Sequence, residues 1–333
     1  MNSITKHKLF YSNDIKSERN LDNEQLLIID EFNKKKYLNE IQFEYVNCIC
    51  ESKEFVLIAK KDRYRINQDT VICKDCGLVQ SNPRMTKDYY KWFYSSDYYR
   101  ELYSPKLLAN NDNDYMKIVN GYKSRYDFIK KFISKDDEIL EIGCGAGWNL
   151  YNFFNKGYKI YGYDYGVNLV EYGKSKGLNL KTGDIDDIKE KNVNFILLAH
   201  VFEHFLEPMK ELEKIKRILD DKGFLYIEVP DTDKFGIGSL QNAHTYYFTK
   251  NTLLYFVGTL GLKMIAFSRN LPGNSIGMIL EKSNTINDIS LIDNEYKRMI
   301  NLIQKYDKKQ YIRSFLEKLR VFKTLDKIRK SFL

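Results

Sequence analysis

Short apolar runs alternate with helical patterns of apolar and polar residues over residues 136–283. The runs that predict strands lie at 138–142, 159–163, 178–181, 195–199, 224–229, 263–268 and 275–280. Because parallel strands need a crossover segment between them, this alternation predicts an α/β fold around a parallel sheet. The last two runs have no helical pattern between them, and we expect them to form a hairpin that completes a seven-stranded sheet.

One helix of this region has signals at both ends. Pro208 suits the first helical turn, where its missing N–H group costs nothing, and we expect Gly223 to close the helix. The apolar positions between them recur at helical spacing: Met209, Leu212, Ile215 and Leu219. A second helix is predicted over 249–260, directly before the hairpin.

The rest of the chain divides by composition. Residues 1–45 predict a helical N-terminal extension in which Asp22 is the N-cap. Residues 46–86 hold two cysteine pairs among strand-like segments at 54–59 and 70–72. The remaining parts are an aromatic-rich helical linker at 87–135, the α/β domain at 136–283 and C-terminal helices at 284–333.

The aromatic-rich linker and the C-terminal tail each have a helical face that can be interpreted in two ways. The linker contains a cluster of aromatic residues: Tyr89, Tyr90, Trp92, Phe93, Tyr94, Tyr98, Tyr99 and Tyr103. This cluster forms either a lid over ligands or a stripe that packs into the core. The tail has apolar residues at helical spacing among basic ones: Ile312, Phe315, Leu316, Leu319, Phe322 and Leu325. Such a basic amphipathic helix docks on protein, including a second copy in a homodimer, or on an anionic membrane surface.

The net charge of +8 does not by itself indicate a nucleic-acid partner. Residues 311–333 contain seven Lys or Arg against two Asp or Glu, so the tail carries most of the excess. A nucleic-acid enzyme more typically spreads its basic residues over a face around the active site. The chain has no apolar run long enough to span a membrane and does not start like a signal peptide. We therefore expect a cytoplasmic protein, with peripheral membrane association through the tail as an option.

The strongest chemical signal is the run 139–147, in which a buried strand enters a glycine-rich turn. Glycines let the backbone turn sharply and approach a ligand, and the helix that follows offers free N–H groups. The dinucleotide-binding pattern needs glycine at position 148, which is Trp148 here. Glu141 precedes the turn, and a carboxylate there suits a cationic ligand better than a pyrophosphate. The pattern therefore argues against NAD.

Two further acids and a histidine follow the next strands. Asp164 ends the strand 159–163, where its carboxylate can accept hydrogen bonds from two ribose hydroxyls. Asp184 follows the third strand and can accept from an adenine amino group. His200 follows the fourth strand, at the edge of the sheet where open α/β folds bind ligands.

These elements, in this order, resemble the class I S-adenosylmethionine-dependent methyltransferases, and the segment 200–204 resembles their small-molecule branch. The resemblance covers residues 136–283 and implies a Rossmann-like sheet that binds S-adenosylmethionine. It implies that the methionine end of the cofactor lies against Glu141, Gly143, Cys144, Gly145, Gly147 and His200. It implies that the nucleoside lies against Asp164, Tyr165, Asp184 and Ile185.

The cysteine pairs carry a second resemblance. Cys73 and Cys76 are followed by Gly77 and have the spacing of a zinc knuckle. With Cys48 and Cys50 upstream, the module resembles the zinc-binding domain of sugar C-methyltransferases and of related enzymes in surface-polysaccharide gene clusters. The resemblance implies a zinc-ribbon-like module with a structural zinc ion on these four residues, although the family usually has two residues between the first two cysteines and this chain has one. The alternative is a fold that has lost its metal, with the cysteines packed as small hydrophobic residues.

The catalytic candidates follow from the chemistry of methyl transfer to a hydroxyl group, which a base accelerates by about 10²–10⁴-fold. Sugar C-methyltransferases have a Tyr-His-Glu-His run where this chain has residues 241–244 and keeps only His244. This difference argues against C-methylation and favours O-methylation with His244 as the base and His204 or Glu203 as the next candidates. The alternative is that His244 only makes local hydrogen bonds.

The first hypothesis is therefore O-methylation of a sugar, either nucleotide-linked or part of a surface glycan. The alternatives are methylation of another small metabolite such as a polyketide or quinone, sugar C-methylation, and a cofactor-binding partner protein without activity. The fourth strand is followed by neither an Asn-Pro-Pro-Tyr-like segment nor a Pro-Cys pair. We therefore do not expect the amino groups of adenine or glutamine, or C5 of cytosine, to be the acceptor. A nucleic-acid enzyme is a further alternative, which the location of the positive charge disfavours.

Overall fold

The computed structural model describes residues 4–7, 10–11, 21–95, 97–103, 112–284, 290 and 292–318. The tail positions Leu319, Phe322 and Leu325, on which part of the amphipathic prediction rests, lie outside the described residues. Across the described ranges, every helix is too short or too polar to cross a bilayer.

The N-terminal part begins with helix α1 (Asn23–Tyr37). Its predicted N-cap is confirmed, because Asp22 Oδ1 accepts from the Gln25 N–H at 2.8 Å and the Gln25 side chain accepts in return from the Asp22 N–H at 3.2 Å. Five short strands follow: β1 (Phe43–Glu44), β2 (Phe55–Lys61), β3 (Asn67–Cys73), β4 (Val79–Ser81) and β5 (Arg84–Met85). β2 and β3 extend beyond the predicted segments 54–59 and 70–72 because they pair with each other along most of their length.

The aromatic-rich linker is helical, as predicted. It forms α2 (Lys87–Ser95), α3 (Asp97–Tyr103), α4 (Asp112–Gly121) and α5 (Lys123–Ile129). Phe93 is fully buried and packs against Phe32 of α1 and Tyr103 of α3. Part of the aromatic cluster is therefore core.

The predicted α/β domain contains the elements β6 (Glu138–Ile142), α6 (Trp148–Phe154), β7 (Lys159–Asp164), α7 (Val167–Ser175), β8 (Leu180–Thr182), β9 (Val193–Ala199), α8 (Pro208–Ile218), β10 (Leu219–Pro230), β11 (Tyr246–Tyr247), α9 (Lys250–Thr259), β12 (Leu262–Ser268) and β13 (Ser275–Lys282). Helix α10 (Glu295–Lys318) follows this domain. The seven-stranded sheet has the order β12-β13-β10-β9-β6-β7-β8. β10, β9, β6, β7 and β8 are parallel, and β13 is antiparallel to both β10 and β12. The predicted seven-stranded α/β sheet with a terminal hairpin is thus confirmed.

Two predicted boundaries were wrong. The helix after Pro208 ends at Ile218 rather than at Gly223, because Leu219 is extended, 1% exposed and paired with Val193 of β9. β8 begins at Leu180 rather than at residue 178, because the Leu178 N–H closes the end of α7 by donating to the Gly173 carbonyl.

Apolar side chains cover both faces of the large sheet, which makes a three-layer arrangement. One face packs against α8 and α9, for example through Leu212 and Phe256. The other face packs against α5, α6 and α7, for example through Ile129, Phe153 and Val170. The strand order reverses between β6 and β9, the position at which open α/β sheets bind ligands.

The predicted cysteine module and the predicted α/β domain contribute strands to one sheet. β11 lies between β10 and α9 in the chain, yet it joins a four-stranded sheet of order β11-β4-β3-β2. Tyr246 pairs with Gln80, and Tyr247 with Val79. α10 also packs on this N-terminal sheet, where Met299 and Ile303 share a core with Ile58. The cysteine module is therefore joined to the rest of the chain by a common sheet and by a common core.

Candidate active site

A cavity of about 480 Å³ lies at the carboxyl ends of the parallel strands. The sheet edge contributes residues 142–145, 163–165, 183–186 and 199–201 to its lining. The linker contributes Lys87, Tyr90, Lys91, Tyr94, Tyr99, Tyr122 and Arg125. The volume suits a small-molecule ligand of cofactor size.

The glycine-rich turn forms one end of the cavity. Gly143, Gly145 and Gly147 have φ angles of +71°, +55° and +73°, which side chains rarely adopt. A Cβ atom on Gly145 would lie 2.5 Å from the Trp148 ring, so the residue that breaks the dinucleotide pattern also fills the space above the turn. The N–H groups of Gly143 and Cys144 donate to the Tyr163 carbonyl at 2.8 and 3.1 Å, which holds the turn against β7.

Glu141 lies behind this turn, is 1% exposed and, like Gly147, is not among the residues that line the cavity. Asn149 Nδ2 donates to its Oε1 at 2.5 Å, whereas its Oε2 has no hydrogen-bond partner among the described residues. Burial raises the pKa of Glu141 to about 8. A buried carboxylate oxygen with unmet hydrogen-bonding capacity fits a cationic ligand group such as the ammonium of S-adenosylmethionine.

The predicted ribose and adenine acids line the same cavity. Asp164 accepts from the N–H groups of Gly145 and Gly166 at 2.9 and 2.7 Å, which fixes its carboxylate at the end of β7. Asp184 accepts from the hydroxyl of the half-exposed Tyr165 at 3.1 Å. The negative charge of Asp164 adds to the effect of burial and raises the pKa of Glu141, because two like charges in one site repel each other.

His200 occupies a strained position directly after β9. Its φ angle is +59°, an uncommon conformation for a residue with a side chain and one that is frequent at functional sites. Nδ1 lies 3.3 Å from Glu203 Oε1, and Nε2 lies 3.3 Å from Glu228 Oε1 and 3.0 Å from Ser275 Oγ. Burial alone lowers the pKa of His200, but the hydrogen bonds to both glutamates outweigh it and raise the pKa to about 9. The imidazole is therefore protonated at neutral pH.

The three catalytic candidates form one cluster at the other end of the cavity. Glu203 Oε1 lies 4.0 Å from His204 Nε2 and 3.9 Å from His244 Nε2, and the two imidazole rings are 4.8 Å apart. His204 lines the cavity, whereas His244 is 5% exposed, lies behind it and contacts the Gln241 side chain. Burial lowers the pKa of both histidines. Of the two, His204 is the neutral imidazole that a ligand in the cavity can reach.

One face of α2 forms the wall above His204. Lys87, Tyr90, Lys91 and Tyr94 recur at helical spacing and line the cavity together with Tyr99. The Tyr94 hydroxyl lies 2.6 Å from His204 Nδ1, and the Tyr90 hydroxyl donates to the Ala243 carbonyl at 2.7 Å. Some of the aromatic cluster therefore lines the cavity, while Phe93 belongs to the core.

The four N-terminal cysteines converge outside the cavity, all with their sulfur atoms within 4.8 Å of one another. The sulfur atoms of Cys48 and Cys76 are 3.5 Å apart, and those of Cys50 and Cys73 are 3.6 Å apart. A tetrahedral site with zinc–sulfur bonds of about 2.3 Å places its sulfur atoms roughly 3.8 Å apart. The arrangement therefore fits a tetrahedral metal ion, and the single residue between Cys48 and Cys50 does not prevent it.

Three buried residues of this site were not predicted from the sequence. Arg125 donates to Glu228 through Nε and Nη2 at 2.5 and 2.7 Å, and to Asn149 through Nη1. Glu228 offered a signal, because a charged residue within the apolar run 224–229 requires a partner when it is buried. Arg125 and Asn149 lie in helical segments without a recognisable motif.

Residues 115–266, slightly less than half of the chain, match a family described as a methyltransferase domain. Among curated proteins, none matches this chain. The solved structures that are similar to it include the following two. The PH0226 protein of Pyrococcus horikoshii OT3 is 16% identical with a TM-score of 0.46, and the alignment covers 56% of this chain and 99% of that chain. An S-adenosylmethionine-dependent methyltransferase of Aquifex aeolicus is 20% identical with a TM-score of 0.41, and the alignment covers 50% of this chain and 97% of that chain.

The family match covers α5 to α9, including the glycine-rich turn, and the acids near this turn fit a cationic nucleoside. When bound, S-adenosylmethionine supplies the methyl group on its sulfonium. Residues 115–266 thus contain a methyltransferase domain, and the protein is an S-adenosylmethionine-dependent methyltransferase.

Proposed function

We propose that this enzyme O-methylates a sugar that is linked to an anionic carrier such as a nucleoside diphosphate. The proposal rests mainly on the wall of α2, which places two lysines and two tyrosines in the cavity next to His204. Tyrosine rings offer apolar faces for a sugar ring and hydroxyls for its oxygens. Lysine ammonium groups bind phosphate. A neutral polyketide or quinone would use the rings but not the lysines.

The two ends of the cavity then have different ligands. Glu141, Asp164, Tyr165, Asp184 and Ile185, with the glycine-rich turn, hold the cofactor. The acceptor lies below α2, with its hydroxyl directed at His204. Alignment of the reacting groups lowers the barrier by about 7–11 kcal/mol, and His204 receives the proton. We assign this role to His204 rather than to His244 because His244 does not line the cavity.

The test is transfer of labelled methyl groups from S-adenosylmethionine to a panel of uridine, thymidine and guanosine diphosphate sugars, with the free sugars and a quinol as comparisons. We expect labelled product with a nucleotide sugar and a methyl ether in its mass spectrum. Label that enters only the quinol, or a carbon–methyl bond in the product, would contradict the proposal.

We also propose that Cys48, Cys50, Cys73 and Cys76 bind one structural zinc ion. The supporting observation is the tetrahedral spacing of their sulfur atoms. Metal analysis of the purified protein is expected to give one zinc ion per chain. A C73S/C76S variant should contain none, whereas a variant of the remote Cys144 should keep it.

A further inference from the structure

A continuous line of buried polar side chains joins the two ends of the cavity. Its centre is Arg125 of α5, which is 2% exposed and lines the cavity. The guanidinium makes a two-pronged ion pair with Glu228 of β10, which is fully buried. It also donates to Asn149, the second residue of α6.

Towards the cofactor, the line continues through Asn149 to Glu141. The Asn149 oxygen accepts from Arg125 and its nitrogen donates to Glu141 Oε1. Because Arg125 can only donate, it determines which end of the amide faces Glu141. The donated hydrogen bond in turn holds Glu141 with Oε2 left for a ligand.

Towards the acceptor, the line continues through Glu228 to His200. Glu228 Oε1 lies 3.3 Å from His200 Nε2, and His200 Nδ1 lies 3.3 Å from Glu203 Oε1. Tyr226 donates to Glu228 Oε2 at 2.5 Å and completes its hydrogen bonding. Arg125 thus reaches the cluster of Glu203 and His204 through two intermediates.

We propose that Arg125 is a positioning residue that sets Glu141 for the cofactor, through Asn149, and holds His200 beside Glu203, through Glu228. Stability alone does not require this arrangement. Replacing a buried ion pair by apolar residues of similar volume is often neutral or stabilising, whereas removing only one partner is strongly destabilising. The Arg125–Glu228 pair also does not need Asn149 for its own bonds.

The experiment measures the binding of S-adenosylmethionine by calorimetry from pH 6 to pH 9 without acceptor, so its outcome is independent of the sugar proposal. N149A leaves the ion pair intact and removes the link to Glu141. We expect binding at least about tenfold weaker at neutral pH, which is roughly 1.4 kcal/mol. We also expect the pH midpoint of binding to rise, because the Asn149 hydrogen bond lowers the pKa of Glu141. The double variant R125M/E228L should give the same two changes.

The matched control is R298M. It removes the cation of another arginine–glutamate pair, at the start of α10, where the buried Glu295 keeps Thr249 and Asn251 as partners. We expect this variant to lose stability but to keep the affinity and the pH midpoint of the unmodified protein. The positioning role is refuted if N149A and R125M/E228L also keep the affinity and the pH midpoint of the unmodified protein. Should the double variant fail to fold, N149A alone decides.

Discussion

At the scale of single residues, the site holds more buried carboxylates than cations. Glu141, Glu203 and Glu228 are buried, and Arg125 and the protonated His200 face them. Arg125 and His200 together outweigh the effect of burial on Glu228 and lower its pKa to about 2. Glu141 receives no such pairing and is left to a ligand. This imbalance favours a ligand that carries an ammonium group.

The raised pKa of Glu141 makes cofactor binding depend on pH. The carboxyl is neutral below about pH 8 in the free protein, and the cofactor ammonium binds its ionised form. Binding therefore releases a proton, and affinity should rise by up to about tenfold per pH unit towards pH 8 and then level off. Calorimetry in buffers of different ionisation enthalpy measures the released proton directly.

The matched variants for this prediction are E141Q and D184N. E141Q should bind weakly at every pH and release no proton, whereas D184N should bind weakly but keep the pH slope. An unchanged slope in E141Q would show that another group titrates.

His204 and His244 differ in access to the acceptor, which gives a second prediction. H204N should lower kcat by about 10²–10⁴-fold and leave cofactor affinity unchanged, because the lost proton acceptor faces the acceptor end only. Since burial lowers the pKa of His204 from 6.5, kcat of the unmodified enzyme at saturating cofactor should fall only when the pH drops below that value. H244N should have the smaller effect on kcat. A larger effect in H244N would return the base assignment to His244.

At the scale of elements, the cavity-facing side of α2 predicts specificity. Lys87 and Lys91 lie one turn apart on a wall that otherwise offers tyrosine rings. K87M/K91M should raise KM for a nucleotide sugar by at least about tenfold with little change in kcat, because the lost charges bind the carrier and not the reacting group. The dependence of KM on salt should weaken at the same time. K34M/K131M, at exposed lysines that do not line the cavity, should leave KM unchanged.

At the scale of the whole molecule, the cysteine cluster predicts a link between metal content and activity. Only residues 77–80 separate Cys76 from Ser81, the last residue of β4, and Ser81 donates hydrogen bonds to the carbonyls of His244 and Thr245. Removal of metal by a chelator should therefore lower both the unfolding temperature and methyl transfer. Cofactor binding should suffer less, because the glycine-rich turn lies on the other sheet. Calorimetric unfolding and binding on the same chelated sample separate the two effects, and unchanged methyl transfer would contradict the link.

The features that could be predicted from the sequence are those determined by residues close to each other in the chain. The glycine-rich turn and Asp164 could be predicted from the sequence, because a strand, a turn and an acid at a strand end are determined by neighbouring residues. The position of His244 behind His204 was not, because it results from the pairing of β11 with β4. The role of Arg125 could not be predicted for the same reason, because its partner Glu228 lies 103 residues further along the chain.

The helix boundaries show the same limit at intermediate range. Pro208 and Asp22 marked helix starts correctly, because caps and first-turn prolines satisfy local N–H groups. The end of α8 was misplaced because pairing with β9 outweighs helical periodicity at Leu219.

The pairing of β11 with β4 in the N-terminal sheet also constrains the evolution of this sequence. A recombination event that exchanged only the segment before α2 would leave β4 beside a foreign strand and its loop. Inheritance of a new first segment therefore requires matching changes near residues 241–247, which lie far away in the gene. Chimaeras between relatives should succeed only when both stretches come from one parent.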